Sequence, residues 1–177
     1  MKYLAFLRGI NVGGNRKVPM GDLQKLFFEL GFTDVKTLLN SGNVLFASDE
    51  PDSSVLKKKI ETKLENIFGW NIDVIIRSQK DIQDIVARNP FKSVTVIPET
   101  RLYVTFFSED PQSTLKIPYE SPEKNYRILE VSQRAIFSVL TLSEKYSTTD
   151  AMKVLEKEFG KNVTTRNWNT VVKLINI

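Results

Sequence analysis

Tyr3–Leu7 is the stretch that most limits how this chain can fold. In an extended conformation Tyr3, Ala5 and Leu7 fall on one side and Leu4 and Phe6 on the other, and both sides are apolar. A strand of this kind should be central in its sheet. The polar loop "RGINVGGNRK" follows. "MGDLQKLFFELGF" then sets Leu23, Leu26, Phe27 and Leu30 at helical spacing, with Gly31 as the stop. "DVKTLL" and "NVLFAS" flank "NSG", which reads as a tight hairpin turn with Gly42 or Asn43 at positive φ. "SSVLKKKIETKLENIF" is a second helix, with Val55, Ile60, Leu64 and Phe68 on its apolar face and Gly69 as its stop. The strand "IDVIIR" comes next. Residues 1–78 thus read β-α-β-β-α-β, the split β-α-β or ferredoxin-like plan.

A second pass follows a connector at residues 79–97. In it "SQKDIQDIVARNPF" is a helix capped by Ser78 and ended by Pro90. "RLYVTFF", "NYRILEV" and "AIFSVLTL" are strands, and "TTDAMKVLEKEFG" is a helix capped by Thr149 or Asp150. The ends of two helices, "LENIFGWN" from Leu64 and "LEKEFGKN" from Leu155, share Leu, Glu, Phe, Gly and Asn at a common offset, and Phe46 falls on Phe137 at the same offset. Such a repeat points to an internal duplication. The expected fold is therefore α+β: two ferredoxin-like halves, at 1–78 and 98–177, with antiparallel sheets, helices on one face and a C-terminal helix. In "TTRNWNTVVKLINI", Thr165 is a good cap and Trp168, Val171, Val172 and Ile175 have helical spacing. That helix would replace or extend the last strand of the second half.

Composition narrows the chemistry more than the fold. The 177 residues are 41% apolar and 26% charged, enough for a packed core. Twenty-five Lys and Arg against 21 Asp and Glu give a net charge of +4, which permits an anionic partner without requiring one. There is no Cys and no His. Disulfides, thiol nucleophiles, imidazole bases, Ser–His–Asp triads and ordinary zinc sites are thereby excluded. The apolar run after Lys2 is too short for a signal-peptide core and no stretch has the length of a membrane helix. A cytoplasmic protein without membrane contact is expected.

Strand direction says where the polar loops meet. In a split β-α-β unit the exit of the first strand and the hairpin between strands two and three lie at one end. Arg8, Asn11, Gly13, Gly14, Asn15, Lys17, Asn40, Ser41 and Asn43 should gather there, with Arg16 beside them. Glycine-rich backbone, amides and cations suit a phosphate or another anion. The alternative is turn chemistry alone, with Arg8 paired to an acid. The loop is neither a Walker A sequence nor G-x-G-x-x-G. Elsewhere, Lys57–Lys59 reads as a solvated helix face. The acidic run from Ser48 reads as a loop and cap, so no metal site is expected. Ser41 lacks a base. Tyr103, Phe106 and Phe107 are similar to RNA-stacking aromatics but fit a core strand better.

"FLRGINVGG" at Phe6–Gly14, Met20, "LGF" at Leu30–Phe32 and "SGNV" at Ser41–Val44 closely resemble the bacterial domain-of-unknown-function family 1697. "NPF" at Asn89–Phe91 and "TTRNWNTVVKL" at Thr164–Leu174 are similar to later blocks of that family, whereas Val94–Glu123 resembles nothing we can place. The resemblance implies an α+β fold of two ferredoxin-like halves, and it brings no activity and no cofactor with it. Its blocks fall on loops and on Arg166-Asn167-Trp168, which adds Arg166 and Asn167 to the ligand-binding candidates and leaves Trp168 to the core. Three functions follow in order of preference. The first is a binding module for an anionic ligand, whether nucleotide, phosphate compound or nucleic acid. The second is an enzyme working through carboxylates or Mg²⁺, disfavoured because neither loop contains a carboxylate. The third is an interaction domain without a ligand.

Overall fold

The computed structural model describes residues 1–14, 16–112, 115–160 and 162–177. The chain divides into two compact units, Met1–Gln83 with Leu174–Ile177, and Asp84–Lys173. The first unit holds β1 (Lys2–Leu7), α1 (Met20–Glu29), β2 (Thr33–Leu38), β3 (Asn43–Ala47), α2 (Ser53–Phe68) and β4 (Val74–Ser78). Its antiparallel sheet has the order β2-β3-β1-β4, which puts β1 inside between β3 and β4. Tyr3 to Leu7 are all buried, as an apolar pattern on both faces requires. One face, with Tyr3, Ala5, Leu7, Val44, Phe46, Val74 and Ile76, receives Leu23, Leu26 and Phe27 from α1 and Leu56, Ile60 and Leu64 from α2. Phe46 lies at its centre, 4.6 Å from Phe32, 5.3 Å from Phe27 and 5.7 Å from Tyr3, ring centroid to centroid.

Two local details of this unit differ from the sequence expectation. On α2 the core stripe is Leu56, Ile60 and Leu64, at spacings of four, while Val55 is 47% exposed. Val55 lies well round the helix from Ile60, off that stripe. The hairpin connection is the four residues 39–42, with positive φ at Leu39 (59°) and Gly42 (72°), and Asn43 already belongs to β3. A Cβ on Gly42 would stand 2.8 Å from both Leu7 Cβ and Ile10 Cδ1, so this glycine is needed for close approach as well as for its φ.

α3 (Gln79–Arg88) carries the boundary between the units, and Ser78 caps it, its Oγ accepting from Asp81 N at 3.0 Å. Then come β5 (Thr100–Phe107), β6 (Tyr119–Glu120), β7 (Tyr126–Ser132), β8 (Ala135–Thr141), α4 (Thr148–Phe159), β9 (Val163–Asn167) and α5 (Trp168–Leu174). The second antiparallel sheet has the order β6-β7-β8-β5-β9. α4 lays Ala151 and Leu155 on Phe107, Tyr126, Ile128, Ile136, Leu140 and Val163. Its cap is Ser147, two or three residues ahead of the expected Thr149 or Asp150, with Asp150 completing a capping box from N3. At the C-terminus a strand precedes the helix. Residues 163–167 pair with β5, and Thr165 Oγ1 lies 2.8 Å from Thr105 Oγ1 instead of capping a helix. Asn167 caps α5, its Oδ1 accepting from Asn169 N at 2.9 Å, and Trp168 packs on Phe91 with centroids 5.2 Å apart. Among the described residues no helix is long and apolar enough to cross a membrane.

Gly42→Ala should destabilise the protein by roughly 2 kcal/mol or more, since strain at positive φ and a 2.8 Å clash combine. Denaturant melting measures this directly. Glu61 offers a pH test. Its carboxylate accepts from Val74 N at 2.8 Å, tying α2 to β4, with Lys57 Nζ at 3.8 Å. Desolvation pushes its pKa up, outweighing the opposing effects of the Val74 bond and Lys57. A raised native pKa means that the folded state holds the proton more tightly. The stabilisation is present below the ordinary glutamate range and lost as pH rises through the native value. Relative to Glu61→Gln, the wild type should therefore lose stability as pH rises out of the ordinary glutamate range and through the raised native value, measured by urea titration at stepped pH.

Candidate functional site

The exit of β1 and the β2–β3 connection meet at one end of the first unit, as strand direction demands. Leu7 N donates to Gly42 O at 2.8 Å. Arg8 N donates to Asp73 O at 2.9 Å, and its guanidinium lies 3.7 Å from the Asp73 carboxylate. Arg8 therefore helps to join the β1 exit to the β4 entry. Asn11 then takes a left-handed conformation (φ 55°), and its side chain organises the whole loop. Asn11 Nδ2 donates to Val18 O at 2.9 Å and to Asn40 O at 2.8 Å, while Oδ1 accepts from Val18 N at 2.8 Å. Its backbone N–H donates to Arg16 O at 3.1 Å. The loop is thus closed on itself and stapled to the hairpin connection. Ile10 and Val18 anchor it in the core, and Val12, Gly13 and Gly14 stay exposed.

A cavity of about 360 Å³ opens here, lined by Asn11, Gly14, Lys17, Asn40 and the segment Val18–Met20. Val18, Pro19 and Met20 make an apolar wall, and Lys17 supplies the positive charge. The start of α1 borders the cavity. Its N-cap is Pro19, which has no side-chain acceptor, so the first-turn amides lack a side-chain cap. Asp22 in that turn already complements part of the helix dipole.

The structure separates the sequence candidates into groups. Asn11, Gly14, Lys17 and Asn40 line the cavity. Gly13 (φ 61°) sits on the same loop without lining it, and Asn15 lies outside the described residues. Asn43 is fully buried, its Nδ2 donating to Leu38 O and to Ser41 Oγ at 2.9 Å each, so Asn43 and Ser41 brace the hairpin connection. Arg166 and Asn167 belong to β9 of the second unit. Arg166 is buried opposite Val104, and its Nη1 donates to Thr164 Oγ1 at 2.8 Å and to Thr165 O at 2.9 Å. Burial draws its pKa down to about 10, still cationic at neutral pH.

Phe106 and Phe107 are buried, which removes them as surface stacking platforms. In the acidic run, Glu50 accepts from Asp52 N and Asp52 caps α2, and among the described residues no three metal-ligating side chains come together. Sequence reasoning missed Asp73 and the wall Val18–Met20. The pairing Leu7↔Val74 sets residues 8 and 73 side by side, a signal that requires the β1–β4 register to be known first.

Asn11→Ala should cost about 2 kcal/mol, because it leaves the Val18 amide and two carbonyls without their partner. Hydrogen exchange should accelerate at the Val18 amide far more than at the amides of α2.

Comparison with known proteins agrees with this architecture. The structure of a conserved bacterial protein from Streptococcus pneumoniae superposes with a TM-score of 0.75 at 25% identity, over 99% of this chain and 97% of that one. No curated protein matches the chain. Residues 1–137, which include the stapled loop, the cavity and both strands of the first hairpin, match the family described as a protein of unknown function (DUF1697), and the chain belongs to that family.

Proposed function

We propose that the protein is a cytoplasmic binding module for an anionic ligand (a nucleotide, another phosphate compound or nucleic acid) seated at the loop end of the first unit. The observation that carries the reading is the cavity of about 360 Å³ lined by Lys17, Gly14 and Asn40, with the uncapped start of α1 at its border. Its size suits a small organic ligand, and unsatisfied helix amides with a nearby lysine suit negative charge. The ligand contacts in this reading are Lys17, Asn40 and the backbone around Gly14. Arg8, Asn11, Ser41 and Asn43 support them from behind. Arg166 and Asn167 belong to the other unit and are not among the residues that line this cavity. Among the described residues no carboxylate lines the cavity, which is why the anionic-ligand reading is placed ahead of a carboxylate- or Mg²⁺-dependent enzyme.

The same proposal extends to the architecture. The units are two ferredoxin-like halves from an internal duplication, at 1–78 and 98–177, with 79–97 as connector. Strand order supports this: β2-β3-β1-β4 in one sheet corresponds to β7-β8-β5-β9 in the other. Leu64 and Leu155 are both buried, Phe46 and Phe137 are both buried, and Gly69 and Gly160 end α2 and α4 at φ 80° and 77°. The second half has no counterpart of α1 among its described residues and carries β6 after β5 instead.

Thermal shift against nucleotides, sugar phosphates and short RNA and DNA oligomers tests the binding reading. A ligand at a hundred times its dissociation constant adds about 2.7 kcal/mol of stability. Wild type should shift with at least one anion and Lys17→Ala should not. Arg8→Ala should be less stable yet keep the shift. If every compound leaves the wild-type melting temperature unmoved, the binding reading is wrong.

A further inference from the structure

The second unit contains a polar cavity that the loop site does not involve. It measures about 320 Å³ and is lined by Val96, Thr100, Arg101, Leu102, Asn167 and Asn169. All six belong to the Asp84–Lys173 unit. Arg101 Nη1 donates to Pro98 O at 2.7 Å and to Thr100 O at 2.9 Å. Both hydrogens of that nitrogen are thereby used on the chain's own carbonyls. The planar guanidinium is held in place, and its other edge, Nε–H with Nη2–H, has no partner among the described residues. That edge presents two parallel donors, which match the two oxygens of a carboxylate.

Asn167 contributes a further donor whose orientation is fixed. Its Oδ1 accepts from Asn169 N at 2.9 Å, and because a backbone N–H can only donate, the amide cannot be flipped. Nδ2 is left to donate elsewhere. Thr100 Oγ1 is occupied as the acceptor for Ile97 N at 3.0 Å. Among the described residues no acidic side chain lines the cavity, and Val96 and Leu102 belong to its lining. A single cation with a bidentate edge and an apolar wall matches a monoanion on a short hydrocarbon body better than it matches a phosphate dianion.

We propose that this cavity binds a small aliphatic carboxylate, with Arg101 as a bidentate clamp through Nε and Nη2 and with Asn167 Nδ2 as the second anchor.

The test is titration with butyrate, its neutral isostere butyramide, and inorganic phosphate, followed by NMR at the side-chain N–H signals of Arg101 and Asn167. Butyrate should shift both signals saturably while butyramide leaves them still. Arg101→Lys keeps the charge but loses the fork, and should weaken butyrate binding about tenfold or more. Asn167→Asp keeps the cap on α5 but places a negative charge against the ligand, so it should abolish binding with the fold intact, as judged by the unchanged amide spectrum of α4. Equal responses to butyrate and butyramide would overturn the proposal, as would no response to butyrate at tens of millimolar. Saturable phosphate binding at Arg101 without butyrate binding would overturn the carboxylate assignment.

Discussion

The side-chain amide of Asn11 is the interaction on which the loop end depends. Both of its hydrogens are committed, to Val18 O and Asn40 O, and its oxygen accepts from Val18 N. One short polar side chain therefore closes the segment between Asn11 and Val18 and couples it to the hairpin connection. An asparagine suits this position because it tolerates the left-handed backbone and carries both donors and an acceptor on a short stem. In the same hairpin connection, Gly42 allows a close approach to Leu7 and Ile10. The staple and the close approach together hold Lys17, Asn40 and the start of α1 around one cavity.

This arrangement has a chemical consequence. A residue whose hydrogen-bonding groups are spent on the chain cannot also read a ligand through them without opening the loop. Asn11 and Asn43, which on composition alone look like ligand-reading amides, are spent in this way. Under the proposed binding reading, recognition would fall to side chains and backbone that the staple positions but does not consume.

The order of elements in the first unit and most core positions were legible in the sequence, because they depend on local periodicity. Tyr3–Leu7 reads as an interior strand, and Leu23, Leu26, Phe27, Ile60 and Leu64 read as core. The convergence of the two loops was legible as well, since it follows from strand direction. What escaped depends on partners distant in sequence. The run "VTTRN" is rich in β-branched residues and hydroxyls, and its hydroxyls suit a helix cap equally well. Only the pairing with β5 makes it a strand. Val55 and Leu56 are adjacent apolar residues, and which of them turns inward is set by the phase of α2 on the sheet. The pairing of Arg8 with Asp73 needed the β1–β4 register, and the closing of the cavity by Val18–Met20 needed Asn11's bonds to Val18.

The arginines carry the same lesson into function. Arg8 braces a strand junction against Asp73, and Arg77 is buried in β4 with Nε 3.4 Å from Asp81 Oδ2. Arg166 is buried in β9 on its own threonines, where desolvation lowers its pKa. Arg101 differs from these: one nitrogen is fixed by two carbonyls, and the residue lines a cavity. A guanidinium is most useful to a ligand when the chain orients it without exhausting its donors, because its rotational entropy is then lost on folding and not on binding. Lys17 works on the opposite terms. Its ammonium is an exposed point charge on a flexible stem, beside backbone amides, and it suits an anion whose charge is spread over several oxygens. A net charge of +4 describes both cations alike. Their separate chemistries come from what the backbone does around each, at a glycine-rich loop in one unit and at the first residues of a strand in the other.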